Sequence, residues 1–266
     1  MAKKSKTSKA PEAPKNPSIQ SIPNINLDQE VLRHWGEVWR STVGSLDKNG
    51  NPTVKNADSF DKKQSMDFGK EVIDPAVASA LAAMLGGIPI VSPHSSNSLL
   101  PPPEYPNCVE VGDTKVVGGV RAQNFDIAYR PDGIRIAYDS KTLNGAESIR
   151  KNWNNMINDI ATEATTVHTR FPYALLLFVV TIPKPALHDN QATDILRTLD
   201  RMNGRNSVLS ENHLAESIAF IVWDPDTGEV DASWPPEGSD LRIENFTKRI
   251  EKIYSARYAG LPPHTR

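Results

Sequence analysis

Between Gln123 and Leu143 the chain has two strand-like runs around Pro131-Asp132-Gly133, and no other stretch so narrows what it can fold into. Asp-Gly is a strong hairpin signal because both residues tolerate positive φ. If those two alone form the loop, pairing runs back in equal steps: Arg130 faces Arg135, Ala128 faces Ala137 and Asp126 faces Asp139. Residues two apart share a strand face, so Lys141 joins Asp139, while Phe125, Ile127, Tyr129, Ile134, Ile136 and Tyr138 cover the other side. One face is then a hydrophobic floor, and the other carries two carboxylates that repel unless a positive charge lies between them. Pro-Asp-Gly also suits a three-residue loop with a glycine bulge, which pairs Arg130 with Ile134 and sets Asp126 opposite Tyr138. That register mixes polar and apolar faces, so the two-residue loop, or a compensating bulge farther down, is preferred.

Facing carboxylates suit a hard divalent cation such as Mg²⁺, with open positions for water and a substrate phosphate. A bound metal can acidify water and stabilise charge on phosphorus, and Lys141 can position the nucleophile and share that charge. Asp126, a spacer of twelve residues, and Asp139-Ser140-Lys141 resemble the PD-(D/E)XK nuclease motif on its strand-turn-strand. That superfamily includes most type II restriction endonucleases, and the likeness covers roughly residues 107–183. Asn124-Phe125 precedes Asp126, where the motif's name has proline. The literal Pro131-Asp132 reads as turn chemistry, because seven residues at roughly 3.3 Å each put Asp132 about 20 Å from Asp139.

The resemblance implies catalytic Asp126, Asp139 and Lys141, and a Mg²⁺ site, open also to Mn²⁺, on Asp126, Asp139 and the Ser140 carbonyl. Glu110 is a candidate auxiliary carboxylate, set against the plainer reading of a strand-surface glutamate. The implied fold class is α/β, a mixed central sheet with helices on both faces, restriction-endonuclease-like. The implied activity is site-specific cleavage of double-stranded DNA by a homodimer, as in a type II restriction enzyme. A repair, recombination or phage DNA-processing nuclease is the alternative within the superfamily. A non-catalytic DNA-binding or interaction protein is the alternative outside it.

The remaining chain supplies context. Residues 1–25 hold five lysines against Glu12, with four prolines, and read as a disordered basic arm. Residues 26–266 read as one domain with a helical first part, 26–86, and a catalytic core at about 107–183. Val31, Leu32, Trp35, Val38, Trp39 and Val43 have helical spacing, with the tryptophans in the core. Asp74-Pro75 is predicted to be an N-cap and first helical residue opening a helix through Leu85. Residues 86–107 form a Gly-, Pro- and Ser-rich loop, in which Ser95, Ser96 and Asn97 are candidate DNA contacts. Val109–Gly112 and then Lys115–Val120 suggest a strand and a turn leading to the hairpin. Asn144 with Glu147 resembles a capping box for a long helix packed through Ile149, Trp153, Met156, Ile160 and Ala164. Its polar face, with Arg150, Lys151 and Asn155, reads equally as lying along DNA phosphates or as facing solvent. Residues 173–182 predict a central strand, 192–202 a helix, 217–223 a strand and 240–258 a final amphipathic helix.

Composition limits the rivals. A formal net charge of −2 confines any DNA-binding surface to a local patch. The single Cys108 excludes an intramolecular disulfide and fits a reducing cytoplasm, and the resemblance implies a prokaryotic cell. No apolar run reaches membrane-spanning length, and no hydrophobic segment follows the first lysines. No phosphate-binding glycine loop, Gly-X-Ser-X-Gly elbow or clustered His/Asn metal motif is present.

Overall fold

The computed structural model describes residues 18–95 and 97–264. Its centre is the most apolar run of the chain, the strand β7 (Leu175–Pro183), buried at all nine positions. A strand without polar alternation must be covered on both faces. It pairs in parallel with β6 (Ile136–Thr142) on one side and β8 (Ser217–Trp223) on the other. β5 (Ala122–Tyr129) then runs antiparallel to β6 and to β4 (Val109–Val117), and the two-residue β3 (Ile90–Val91) closes the edge in parallel. The result is a six-stranded mixed sheet in the order β3-β4-β5-β6-β7-β8, in a mixed α/β architecture. A separate two-stranded antiparallel sheet joins β1 (Val43–Leu46) and β2 (Pro52–Val54).

Helices cover both faces. Pleating puts Lys141 and Tyr129 on opposite sides of the sheet. Lys141 meets α4 (Ala146–His168) through Glu163, and the Tyr129 ring lies 6.3 Å from Tyr254 of α6 (Ile243–Tyr258). α5 (Asp189–Met202) packs beside α4 and against β8. The amino-terminal helix α1 (Gln29–Arg40) is capped by Asp28, whose carboxylate accepts from the N–H groups of Glu30 and Val31. It buries Leu32, Trp35 and Trp39, as the spacing predicts, in one core shared with the sheet. Val43 leaves the helical pattern for β1. No described helix is long and apolar enough to cross a membrane.

Four local expectations are corrected. Asp74 is not an N-cap: α2 (Lys62–Phe68), a π-helical turn (Gly69–Ile73) and α3 (Asp74–Met84) follow without a break. Pro75 has no N–H and its ring crowds the carbonyl four residues back. The chain widens just before it, so the Asp74 N–H reaches the Gly69 carbonyl. Asn144 makes no capping box, since Gly145 is the N-cap residue of α4 and makes no side-chain cap. The Asn144 side chain instead accepts from Phe60 N–H at 3.1 Å and donates to Ser65 Oγ at 3.2 Å, tying α4 to the amino-terminal part. The strand expected from Val109 runs beyond Gly112 to Val117, with a bulge at Gly112-Asp113. Finally, the expected open polar face of the hairpin is buried, Ala128, Arg130, Arg135 and Ala137 included.

The hairpin register is the equal-step one along its body: Ile127 pairs with Tyr138, Ala128 with Ala137 and Tyr129 with Ile136. The tip is wider than two residues. Arg135 N–H donates to the Tyr129 carbonyl at 2.9 Å, so Arg135 and Ile136 together face Tyr129 in a compensating bulge. Asp132 stays at the tip, paired with Arg135.

A second charge cluster lies away from the hairpin. Glu216, fully buried, accepts from Arg205 at 2.9 Å, Arg257 at 2.8 Å and Leu176 N–H at 2.8 Å, and meets His168 at 3.1 Å. It joins β8 to α4, α6 and β7. Glu216→Ala leaves two buried guanidinium groups without their counter-charge and is expected to destabilise the fold by about 3–5 kcal/mol. Urea unfolding of the variant against wild type measures it, and a loss below about 1 kcal/mol would show that the cluster is not what ties these elements together.

Candidate functional site

The site forms where β5 and β6 part. Their pairing ends at Ile127–Tyr138, and the next residues, Asp126 and Asp139, diverge. The gap is bridged by the Asp126 carboxylate, whose Oδ2 accepts from both the backbone N–H and the hydroxyl of Ser140, each at 2.9 Å. On the other flank β4 bulges: Val111 pairs with Ile127 and Thr114 with Phe125, so Gly112 and Asp113 together oppose Asp126. Gly112 has φ 120°, a conformation that glycine adopts at no steric cost. Asp126, Asp139 and Asp113 therefore line one cleft of about 220 Å³, with Ser65, Met66, Lys70, Ser140 and Thr142.

Lys141 does not line the cleft itself and reaches it through Asp139. Its ammonium donates to Asp139 and, at 2.8 Å, to Glu163 of α4. Burial alone lowers a lysine pKa, but Asp139 and Glu163 outweigh it, and the pKa of Lys141 is raised. Lys141 is thus a fixed cation at neutral pH. Asp139 is pushed well above the usual carboxylate range, first by burial and then by the negative charge of Asp126 and Glu163, against the pull of Lys141. Beneath the cleft, Asp74 is almost wholly buried with Oδ1 unpartnered. Burial and Asp126 raise its pKa to about 8.

Carboxylate therefore exceeds cation here, and a divalent ion between Asp126 and Asp139 would relieve the excess. Among the described residues no group of three or more His, Cys, Asp and Glu side chains is arranged to hold a metal. The donor set fits an ion that takes two protein carboxylates and completes its shell with carbonyl, water and phosphate oxygens, as Mg²⁺ does.

The structure thus brings Asp126, Asp139, Ser140 and Lys141 together. Glu110 does not join them: it is fully buried, and both its oxygens are taken by Arg130, at 2.5 and 2.8 Å. A carboxylate neutralised in this way has no lone pair directed at the cleft. Ser95 is exposed, Asn97 accepts from Lys115 Nζ at 3.2 Å, and neither lines the cleft. Ser96 lies outside the described residues, as does most of the basic arm. Arg150 and Lys151 both pair with Glu147 on exposed α4, and Asn155 is exposed beyond them. Asp113, Asp74, Glu163 and Lys70 were not anticipated. A glycine inside a strand pattern signals the bulge that carries Asp113. Glu163 interrupts the apolar stripe of α4 between Ile160 and Val167, the mark of a buried charge with a partner.

No protein-family model, no curated protein and no solved structure matches the chain.

The raised pKa of Asp74 makes a stability prediction for metal-free protein. The folded state holds its proton up to about pH 8, whereas the unfolded chain releases it near 3.8. The contribution is whole below the lower value, is lost progressively as pH rises, and is gone above the upper. In EDTA, Asp74→Asn should melt progressively higher than wild type from pH 5 to 8, and the difference should then level off. Parallel melting curves across that range would contradict the assignment.

Proposed function

We propose that this protein is a metal-dependent endonuclease of double-stranded DNA with a restriction-endonuclease-like fold, related to the PD-(D/E)XK superfamily. A site-specific, type II restriction activity by a homodimer is the most concrete form. The observation that carries the reading is that Asp126 and Asp139 line one cleft at the point where two sheet strands separate, with the Lys141 ammonium bound to Asp139. A lone Asp-X-Lys triplet is common. The same triplet with a second carboxylate across a strand gap, backed by further buried acids, is a charge arrangement with a cost that a binding role for the cleft would offset.

In this reading Asp126 and Asp139, with the Ser140 carbonyl, would hold Mg²⁺, and Mn²⁺ would substitute. The ion would supply an acidified water and charge stabilisation at phosphorus. The protein's own groups do the rest. Ser140 fixes the Asp126 carboxylate through two hydrogen bonds and sets its orientation. Lys141 stays charged, so it serves as a cation beside the scissile phosphate and not as a general base. Glu163 holds the lysine on its second side, so that its position does not depend on Asp139 alone. Lys70, exposed at the rim, meets the neighbouring phosphate. A two-fold dimer would present one such cleft to each strand of a palindromic site.

The test is plasmid cleavage by purified variants. Asp126→Ala, Asp139→Ala and Lys141→Ala should each lower the rate by about two to three orders of magnitude or more, with the fold retained by circular dichroism. Asp132→Ala, at the hairpin tip, should cut at a rate near wild type. Near-wild-type cleavage by Asp139→Ala would remove the site from consideration.

A further inference from the structure

Four large apolar side chains stand exposed in one part of the surface: Val43, Leu46 and Val54 on the small sheet, with Val54 90% accessible, and Met66 on α2. Such a patch signals a partner. The geometry points to duplex DNA as that partner, and we infer that the β1–β2 ribbon is the element that reads base edges in the major groove. This inference rests on the proposed nuclease activity for its biological sense, though not for its test.

The ribbon is built to hold its shape. A two-stranded sheet alone is marginal in water, and this one is anchored at three points. The Asp61 carboxylate caps α2 at Gln64 N–H and also accepts from the backbone N–H and hydroxyl of Ser45, at 2.5 and 2.8 Å. Gln64 Nε2 donates to the Val43 carbonyl at 3.1 Å. Lys55 turns inward and donates to the carbonyls of Trp39, Ser41 and Ser59. Gly44 admits no side chain, because a Cβ there would stand 2.4 Å from Thr53 Oγ1. At the tip, Asp47 accepts from the N–H groups of Asn49 and Asn51 and orders the turn. Lys48 and Asn49 are left exposed at its end.

Position and charge favour DNA over a second protein. The helix that anchors the ribbon, α2, also lines the cleft through Ser65 and Met66, so a duplex seated at Asp139 passes the ribbon. Lys48 at the tip, Lys62 and Lys63 on α2 and Lys70 at the cleft rim are all exposed, and none forms an ion pair among the described residues. Of the nearby carboxylates only Asp58 has a cation partner, Arg40 at 3.0 Å; Asp47 and Asp61 keep their charge but are turned to neutral donors of the ribbon and α2, and Asp67 and Glu71 form no ion pair among the described residues. Four lysines without ion pairs lie between the ribbon and the cleft and are placed to meet a phosphate backbone. Paired strands about 4.8 Å apart fit a major groove about 12 Å wide. Exposed Val and Leu methyls suit thymine methyl groups, and the Asn49 amide suits the paired donor and acceptor of adenine.

The experiment uses the full chain in Ca²⁺ buffer, a library of random-sequence duplexes, and sequencing of the retained fraction. Wild type should enrich a short motif. The double variant Lys48→Ala/Asn49→Ala should lose preference at contiguous positions of that motif and bind its best duplex roughly ten- to a hundred-fold more weakly. Arg201→Ala, exposed on α5, which packs against β8 at the other edge of the sheet, should select the wild-type motif. Motif enrichment lost in the double variant, from a protein that leaves plasmid uncut in Mg²⁺, would support the ribbon and refute the nuclease reading. An unchanged motif and affinity in the double variant would overturn the ribbon assignment. So would wild type that retains no duplex, or a loss of self-association in the double variant with DNA selection intact.

Discussion

Two hydrogen bonds from Ser140 to one oxygen of Asp126 hold open the gap on which the candidate site depends. In a continued antiparallel ladder Asp126 and Asp139 would face each other as a like-charged pair, at a cost. The ladder stops at Ile127–Tyr138, and β6 turns its pairing wholly to β7 from there on. The carboxylate of Asp126 takes the place of the missing strand partner for the Ser140 N–H. A cleft results without any loss of backbone hydrogen bonding at Ser140. The bulge at Gly112-Asp113 answers it on β4, and both flanks of Asp126 thereby open toward α2.

Charge organises what surrounds that gap. Asp139 and Glu163 bind Lys141, Asp74 and Asp126 lie close by and Asp113 is exposed in the cleft lining, and burial makes the negative charges of Asp74, Asp139 and Glu163 expensive. The structure offsets part of the cost through the Lys141 contacts and part by raising the pKa of Asp74 and Asp139. Elsewhere the same chain neutralises buried acids fully, Glu110 by Arg130 and Glu216 by two arginines. The cleft is where the compensation is left incomplete. A site left short of positive charge, beside an exposed row of lysines, is the physical basis for expecting both a cation and a polyanion there.

Much of this was legible in the sequence, and the failures have specific causes. The body of the hairpin, the central strand, β8 and the long helix α4 follow from alternation and apolar runs, and the equal-step register correctly placed Asp126 and Asp139 in one cleft. At the tip Asp132 pairs with Arg135 and the turn widens beyond two residues, and the slip is taken up at Tyr129 by the compensating bulge that the preferred register allowed. Asn144 and Asp74 both match helix-capping patterns, yet tertiary contacts use their side chains otherwise: one latches the amino-terminal segment, the other is buried beneath the cleft. Glu110 looked like a spare carboxylate because its partner, Arg130, lies twenty residues away in the chain and next to it only in the sheet. Asp113 was hidden for a similar reason, since a bulge reveals its direction only against the neighbouring strand.

The central claim is that the paired aspartates and Lys141 make a metal-dependent phosphodiesterase. Supercoiled plasmid incubated with wild-type protein, first in Mg²⁺ or Mn²⁺ and then with excess EDTA, tests it most directly. The account predicts linear or fragmented DNA in either metal and no cleavage once the metal is chelated. Cleavage that continues undiminished in excess EDTA, or intact plasmid under every metal condition, would contradict it.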